Sequence, residues 1–140
     1  MSRIFWDTNL FIYLLEGTGP QMERVRDIHT RMRDRGDTLF TSTLTLGEIL
    51  VKPNSLGETQ RAAAYVAILS EETVLSPFDH AAALNYGIIR GDRTIQPPDA
   101  IQLACAGAVK TDLFITNDGR LARKKAPGVQ FVTSIANADL

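Results

Sequence analysis

Five short apolar runs alternate with longer stretches of helical periodicity, and this alternation constrains the fold more than any other feature of the chain. Ile4 to Trp6, Thr38 to Thr41, Thr73 to Leu75, Leu113 to Thr116 and Val129 to Thr133 are too short for helices, and most are rich in strand-favouring side chains. Between them, Asn9 to Glu16, Met22 to Arg35, Leu44 to Val51, Glu58 to Ser70, Asp79 to about Arg90 and Pro98 to about Lys110 read as helices. Arg120 to Lys125 reads as a further short one. A strand that reaches the next strand through a helix makes a crossover unit, which pairs strands in parallel and lays helices on the sheet. The expectation is an α/β chain: three layers, α/β/α, around a mainly parallel, roughly five-stranded sheet.

Punctuation supports the element limits. Gly17-Thr18-Gly19-Pro20 ends the first helix, Gly36 stops the second, and Pro53 closes the third. Asp79 is a favourable N-cap, and Pro98 suits a first helical turn, where its missing N–H costs nothing. There is no linker, repeat or low-complexity tract, and 140 residues suit one domain.

Composition narrows the chemistry. One cysteine, Cys105, rules out an intramolecular disulfide and a cysteine-rich zinc cluster. With only His29 and His80, both read as surface helix residues, a His-rich metal site or a Ser-His-Asp triad is disfavoured. A net charge of -1 supplies no global basic field for nucleic acid, although a bound cation can supply a local one. The N-terminus turns acidic too early for a signal peptide, and no apolar run approaches the ~20 residues that span a bilayer. A cytoplasmic protein with no membrane association is expected.

Asp7, Glu48, Asp99 and Asp118 fall where the chain leaves a strand or enters a helix. In an open parallel sheet, chemistry collects beyond the carboxyl ends of the strands. Each acid has a local explanation: Asp7 as a cap, Asp99 beside a helix N-terminus, Asp118 in an Asn-Asp-Gly turn, Glu48 as a solvated charge. Taken together they put four carboxyl groups at one rim, where a cation or protons must offset their repulsion. An all-oxygen, carboxylate-rich set suits Mg²⁺ or Mn²⁺. Arg120, Arg123, Lys124 and Lys125 follow directly and read either as a phosphate-holding track or as a solvated basic face. For Arg24, Arg31 and Arg35 on the second helix, solvation is the favoured reading, and Trp6 reads as core.

The ordered series Asp7-Thr8-Asn9, Leu46-Gly47-Glu48-Ile49-Leu50, Pro98-Asp99-Ala100-Ile101-Gln102-Leu103-Ala104 and Thr116-Asn117-Asp118 resembles the PIN-domain nucleases. Within them, the small single-domain form resembles the VapC toxins of bacterial toxin–antitoxin pairs. The resemblance runs from Ile4 to about Thr133 and includes Val51-Lys52-Pro53. It implies that residues 1–140 form a single PIN-like nuclease domain. It further implies a metal-dependent endoribonuclease with Asp7, Glu48, Asp99 and Asp118 as its catalytic acids. Asp7, Asp99 and Asp118 are then candidate Mg²⁺ or Mn²⁺ ligands, and Glu48 an orienting or base-assisting group. Asn9, Thr116, Arg120, Arg123 and Lys124 are candidate substrate contacts. Asn9 stands where the family commonly has serine or threonine. The implied partners are an RNA substrate, a small cognate antitoxin and a second copy of the chain in a homodimer.

Competing classes fit less well. A phosphoacceptor domain wants paired acids after the first strand and a lysine after the last. A haloacid-dehalogenase-like phosphatase wants Asp-x-Asp, whereas this chain has Asp7-Thr8-Asn9. A non-catalytic metal- or RNA-binding module acting through a partner is the remaining alternative.

Overall fold

The computed structural model describes residues 1–17 and 19–140; Thr18, part of the expected first helix stop, lies outside them. Five strands form one sheet: β1 (Arg3–Trp6), β2 (Thr38–Ser42), β3 (Val74–Ser76), β4 (Leu113–Thr116) and β5 (Phe131–Ser134). Among the described residues six helices accompany them: α1 (Thr8–Glu16), α2 (Pro20–Arg35), α3 (Thr43–Ser55), α4 (Thr59–Glu72), α5 (His80–Ile89) and α6 (Pro97–Ala108). The strand order is β3-β2-β1-β4-β5 and every pairing is parallel, as the alternation of runs requires.

Side-chain alternation divides the core into two halves. Ile4 and Trp6 of β1, Leu39 of β2 and Ile115 of β4 point to one face, where Leu10, Val25, Ile28, Ile49 and Leu69 of α1 to α4 cover them. Phe5, Phe40 and Phe114, one residue out of phase, point to the other face and meet α5 and α6 through Ala82, Ile89, Ala100, Leu103 and Ala104. Phe5 and Phe114 stack with centroids 5.3 Å apart. Both faces of the inner strands are therefore apolar, as befits a parallel sheet covered on two sides.

Successive crossovers run outward from β1 through β2 to β3, and the chain then returns to place β4 on the opposite side of β1. The carboxyl ends of β1 and β4 thus flank the switch in strand order, where side chains from distant segments converge. Asp7 leaves the end of β1, and Asp118 stands two residues past β4.

Four expectations need correction. Arg120 to Lys125 is not a helix but a series of turns. Its backbone bonds run from Leu121 N–H to the Asp118 carbonyl, Ala122 to Gly119, and Lys124 to Leu121, each spanning three residues. Pro53 does not close α3: the helix continues to Ser55, because proline's fixed φ is compatible with helix and Pro53 is buried. His29 is half-buried rather than superficial, edge-on to Trp6 with ring centroids 5.9 Å apart, whereas His80 is exposed as expected.

The fourth correction concerns β5, which begins two residues later than its sequence suggests. Val129 is held in a tight turn bridged to Ala126. Gly128 in that turn has φ +77° and lies against the backbone of Gly107 in α6. A Cβ on Gly107 would collide with the Pro127 carbonyl, so this contact requires glycine. Gly107→Ala should lower stability by about 1–3 kcal/mol in chemical denaturation, since backbone rather than a flexible side chain must move. Gly87→Ala, on an open face of α5 with nothing within 4 Å of the added carbon, should instead raise it by about 0.5–1 kcal/mol.

Candidate active site

Asp7 is the most enclosed of the four acids. Its backbone N–H donates to the Ile115 carbonyl at 3.0 Å, tying the end of β1 to β4. Its side chain caps α1 by accepting the Thr8 N–H at 2.8 Å, and its other oxygen accepts the Thr116 hydroxyl at 2.9 Å. The Thr116 oxygen in turn accepts the Asp118 backbone N–H at 3.0 Å. Thr116 is fully buried, so its hydroxyl links two acidic positions beneath the cleft floor instead of facing a substrate.

Glu48 sits in the second turn of α3, and one of its oxygens accepts the Thr8 hydroxyl at 2.7 Å. Asp99 occupies the first turn of α6 behind Pro97 and Pro98, and is half-buried. Asp118 is half-buried too, in a turn where it accepts the Arg120 backbone N–H at 2.9 Å. Arg120 closes back on the same carboxylate through Nε at 3.2 Å and Nη2 at 3.2 Å. Asp7, Thr8, Asn9, Glu48, Asp99 and Asp118 line one cleft of ≈ 410 Å³.

The candidate basic track is divided. Arg120 is committed to Asp118 and Arg123 is exposed. Lys124 reaches sideways to Asp92 (3.0 Å) and the Thr94 hydroxyl (2.8 Å), fastening the turn after β4 to the loop before α6. The Thr94 hydroxyl first, then the Lys124 ammonium and the Thr94 backbone N–H, hold the Asp92 carboxyl down at about 2. On α2, Arg24 and Arg31 donate to the carbonyls of Ala138 and Leu140, and Arg35 pairs with Asp37, so these cations bind the chain itself rather than remaining merely solvated.

Electrostatics separate the acids. Burial pushes the Asp7 carboxyl up from 3.8 to about 6; bonds from Thr116 and Thr8 oppose this, while the charges of Asp99 and Glu48 add to it. Asp99 is also raised, chiefly by burial and then by Asp118 and Glu48. Asp118 is lowered, because Arg120 bonds its charged form. A cation placed among Asp7, Asp99 and Glu48 would relieve the repulsion and desolvation that lift the first two. Among the described residues, no three His, Cys, Asp or Glu side chains are drawn into a ready-made cage for a metal ion. Mg²⁺ does not require one, since it keeps several waters and commonly takes one or two carboxylates. The donor set therefore fits a hydrated hard cation.

Residues that pattern reading passed over surround this cleft. Gln102 is an amide buried to 1% exposure in the middle of α6, bonded to Thr8, Thr45 and Ser42. Its signal in the sequence was a lone amide within an apolar helical run, at i+3 from Asp99.

The family model for the PIN domain matches residues 4–127. The chain belongs to the PIN-domain family. The PIN fold is also shared with solved structures. A chain of the VapBC2 complex from Rickettsia felis, bound to a promoter DNA fragment, superposes with a TM-score of 0.75 at 14% identity, over 94% of this chain and 98% of that one. One from DNA-bound VapBC of Salmonella typhimurium gives 0.69 at 20% identity, over 96% and 99%. One from a toxin–antitoxin complex of Klebsiella pneumoniae gives 0.66 at 21%, over 90% and 94%. At these identities the likeness is one of fold. No curated protein sequence matches the chain. Among the described residues of this PIN domain, no helix is long and apolar enough to cross a membrane.

The raised Asp7 carboxyl has a thermodynamic consequence. A carboxyl whose folded pKa exceeds its unfolded value favours folding below the unfolded value and loses that contribution as pH rises through the folded one. Taking Asp7 from 3.8 to about 6 corresponds to about 3 kcal/mol of destabilisation at neutral pH. In metal-free buffer, Asp7→Asn should therefore be more stable than wild type at pH 7, and the difference should vanish below about pH 4. Urea denaturation across pH 3.5–7 reads it directly; a gap independent of pH would contradict the burial argument.

Proposed function

We propose that the protein is a metal-dependent endoribonuclease that hydrolyses RNA phosphodiester bonds with Mg²⁺ or Mn²⁺, and that it is the toxin of a toxin–antitoxin pair. The observation that carries the nuclease reading is the convergence of Asp7, Glu48, Asp99 and Asp118 on one cleft, where burial first and neighbouring acids second push the Asp7 and Asp99 carboxyls upward. Membership of the PIN family supports it.

In this reading Asp7 and Asp99, at the rigid ends of β1 and α6, hold the cation directly, and Asp118 holds it directly or through water. A divalent cation bound there would lower the pKa of a water and offset charge on the phosphate. Glu48, which accepts the Thr8 hydroxyl, acts in this reading as an orienting or base-assisting group toward the attacking water. Arg120, paired with Asp118, and the exposed Arg123 are assigned as phosphate contacts, together with Asn9, which lines the cleft. Lys124 serves the loop rather than the substrate, since Asp92 and Thr94 engage its ammonium.

The toxin reading is supported by the solved neighbours, which come from toxin–antitoxin complexes. An apolar hollow of ≈ 290 Å³ between α1 and α4, lined by Phe11, Leu14, Leu15, Ile68 and Leu69, offers an apolar antitoxin segment a seat. Homodimerisation and a cytoplasmic location accompany this reading.

Purified protein should cleave single-stranded RNA with Mg²⁺ or Mn²⁺, and EDTA should stop it. Asp99→Asn should cut the rate at least ~100-fold while leaving the circular dichroism spectrum unchanged. Cleavage that persisted in Asp99→Asn would refute the assignment, and an inert wild type with either metal would favour a non-catalytic module.

A further inference from the structure

A continuous hydrogen-bond chain of buried side chains runs through the molecule beneath the cleft, and its directions follow from which groups can only donate or only accept. At its inner end the Thr41 hydroxyl donates to the Trp6 carbonyl at 2.9 Å, an acceptor with no hydrogen to offer. The same hydroxyl is also directed as a donor at the Thr45 oxygen 2.9 Å away, so its one hydrogen is shared between the Trp6 carbonyl and Thr45. Thr45 also accepts from the Gln102 amide at 2.8 Å. The second amide hydrogen of Gln102 goes to the Thr8 oxygen at 3.0 Å. The Gln102 carbonyl oxygen accepts from Ser42, whose own oxygen accepts the Thr45 backbone N–H at 3.3 Å.

Thr8 has two neighbours that could receive its hydrogen. Thr45 lies 3.1 Å from Thr8 on one side, and the Glu48 carboxylate lies 2.7 Å away on the other. A carboxylate can only accept, so the 2.7 Å contact has Thr8 donating outward to Glu48, while the Gln102 amide, by donating to both threonine oxygens, fills a lone pair on Thr45 that would otherwise compete for the Thr8 hydrogen. We propose that Gln102 is a positioning residue for Glu48: as an obligate double donor at the centre of this chain, it polarises the Thr8 hydroxyl toward the cleft and fixes the Glu48 carboxylate there. Its burial to 1% exposure and the use of all its polar atoms leave the amide no alternative orientation of equal quality. Gln102 also joins α6 to α1, α3 and the end of β2, so the placement of Glu48 is tied to the helix that carries Asp99.

The catalytic part of this proposal rests on the nuclease reading, and the test separates the two. Gln102→Met keeps the length and apolar volume of the side chain but removes both donors, freeing Thr8 to turn inward toward Thr45. Thr41→Val breaks the same chain at its far end, leaving the Gln102–Thr8–Glu48 segment whole, and so measures what network loss alone does to stability. We expect Gln102→Met to lower kcat for RNA by about 10–100-fold with KM unchanged, the range typical for groups that orient a ligand or base. Thr41→Val should keep the wild-type kcat despite a loss of thermal stability. Thr8→Val should reproduce the Gln102→Met loss, and Thr8→Ser should restore activity, which keeps the test open if Gln102→Met folds poorly. Crystal structures of these variants supply a readout without catalysis. The Thr8–Glu48 bond should be lost in Gln102→Met and kept in Thr41→Val. If that bond survives in Gln102→Met, or if kcat falls equally in Thr41→Val, the positioning role is wrong. If wild type proves inert toward RNA, the nuclease reading fails while the structures still decide the placement of Glu48.

Discussion

The constraint on which the rest depends is the enclosure of the Asp7 carboxyl at the junction of β1 and β4. Trp6 and Ile115 on either side of that junction are fully buried, and the Asp7 N–H closes the ladder between the strands. The side chain that follows cannot escape to water without abandoning the cap of α1. It is therefore held by the Thr8 N–H and the Thr116 hydroxyl, two neutral donors that soften the burial without supplying positive charge. Everything nearby is arranged around this deficit. Asp99 and Glu48 deepen it, and the Arg120 guanidinium is engaged by Asp118. Gathering these groups costs stability, and the hard cation proposed for this cleft would offset that cost.

The switch in strand order explains how distant residues reach this place, and the buried hydroxyl-and-amide chain explains how they are aimed. Parallel strands deliver Asp7 and Asp118 to one edge, and the returning helices deliver Glu48 and Asp99. Backbone geometry alone leaves a long glutamate free to rotate. The Gln102–Thr8 relay removes that freedom from beneath, at a depth where hydrogen bonds are strong and an unpaired group is expensive.

Much of this was legible in the sequence. The run Ile4-Phe5-Trp6 is short, yet the alternation of such apolar runs with helices predicted a parallel sheet covered on both faces, which is what forms. The four acids were visible as departures from apolar runs at the right ends of elements, and all four line one cleft. What the pattern could not carry was tertiary in origin. Leu121 to Lys125 contains good helix formers, but the Asp118 turn and the reach of Lys124 to Asp92 hold the segment in successive turns. The start of β5 is displaced by the glycine contact between Gly107 and Gly128, which depends on two backbones meeting across the fold. Thr116 was named from the sequence as a substrate contact, but its bonds to Asp7 and Asp118, like the role of Gln102, declare themselves only once the partners of a buried polar residue are known.

The central claim is that this carboxylate-lined cleft binds a divalent cation. Titrating ¹⁵N-labelled protein with Mn²⁺ and following paramagnetic broadening of its backbone amides tests it most directly, independently of any substrate. Saturable broadening centred on Asp7, Thr8, Asp99 and Asp118, reversed by excess Mg²⁺ and absent in Asp99→Asn, is the predicted result. Broadening centred elsewhere, or undiminished in Asp99→Asn, would contradict the account.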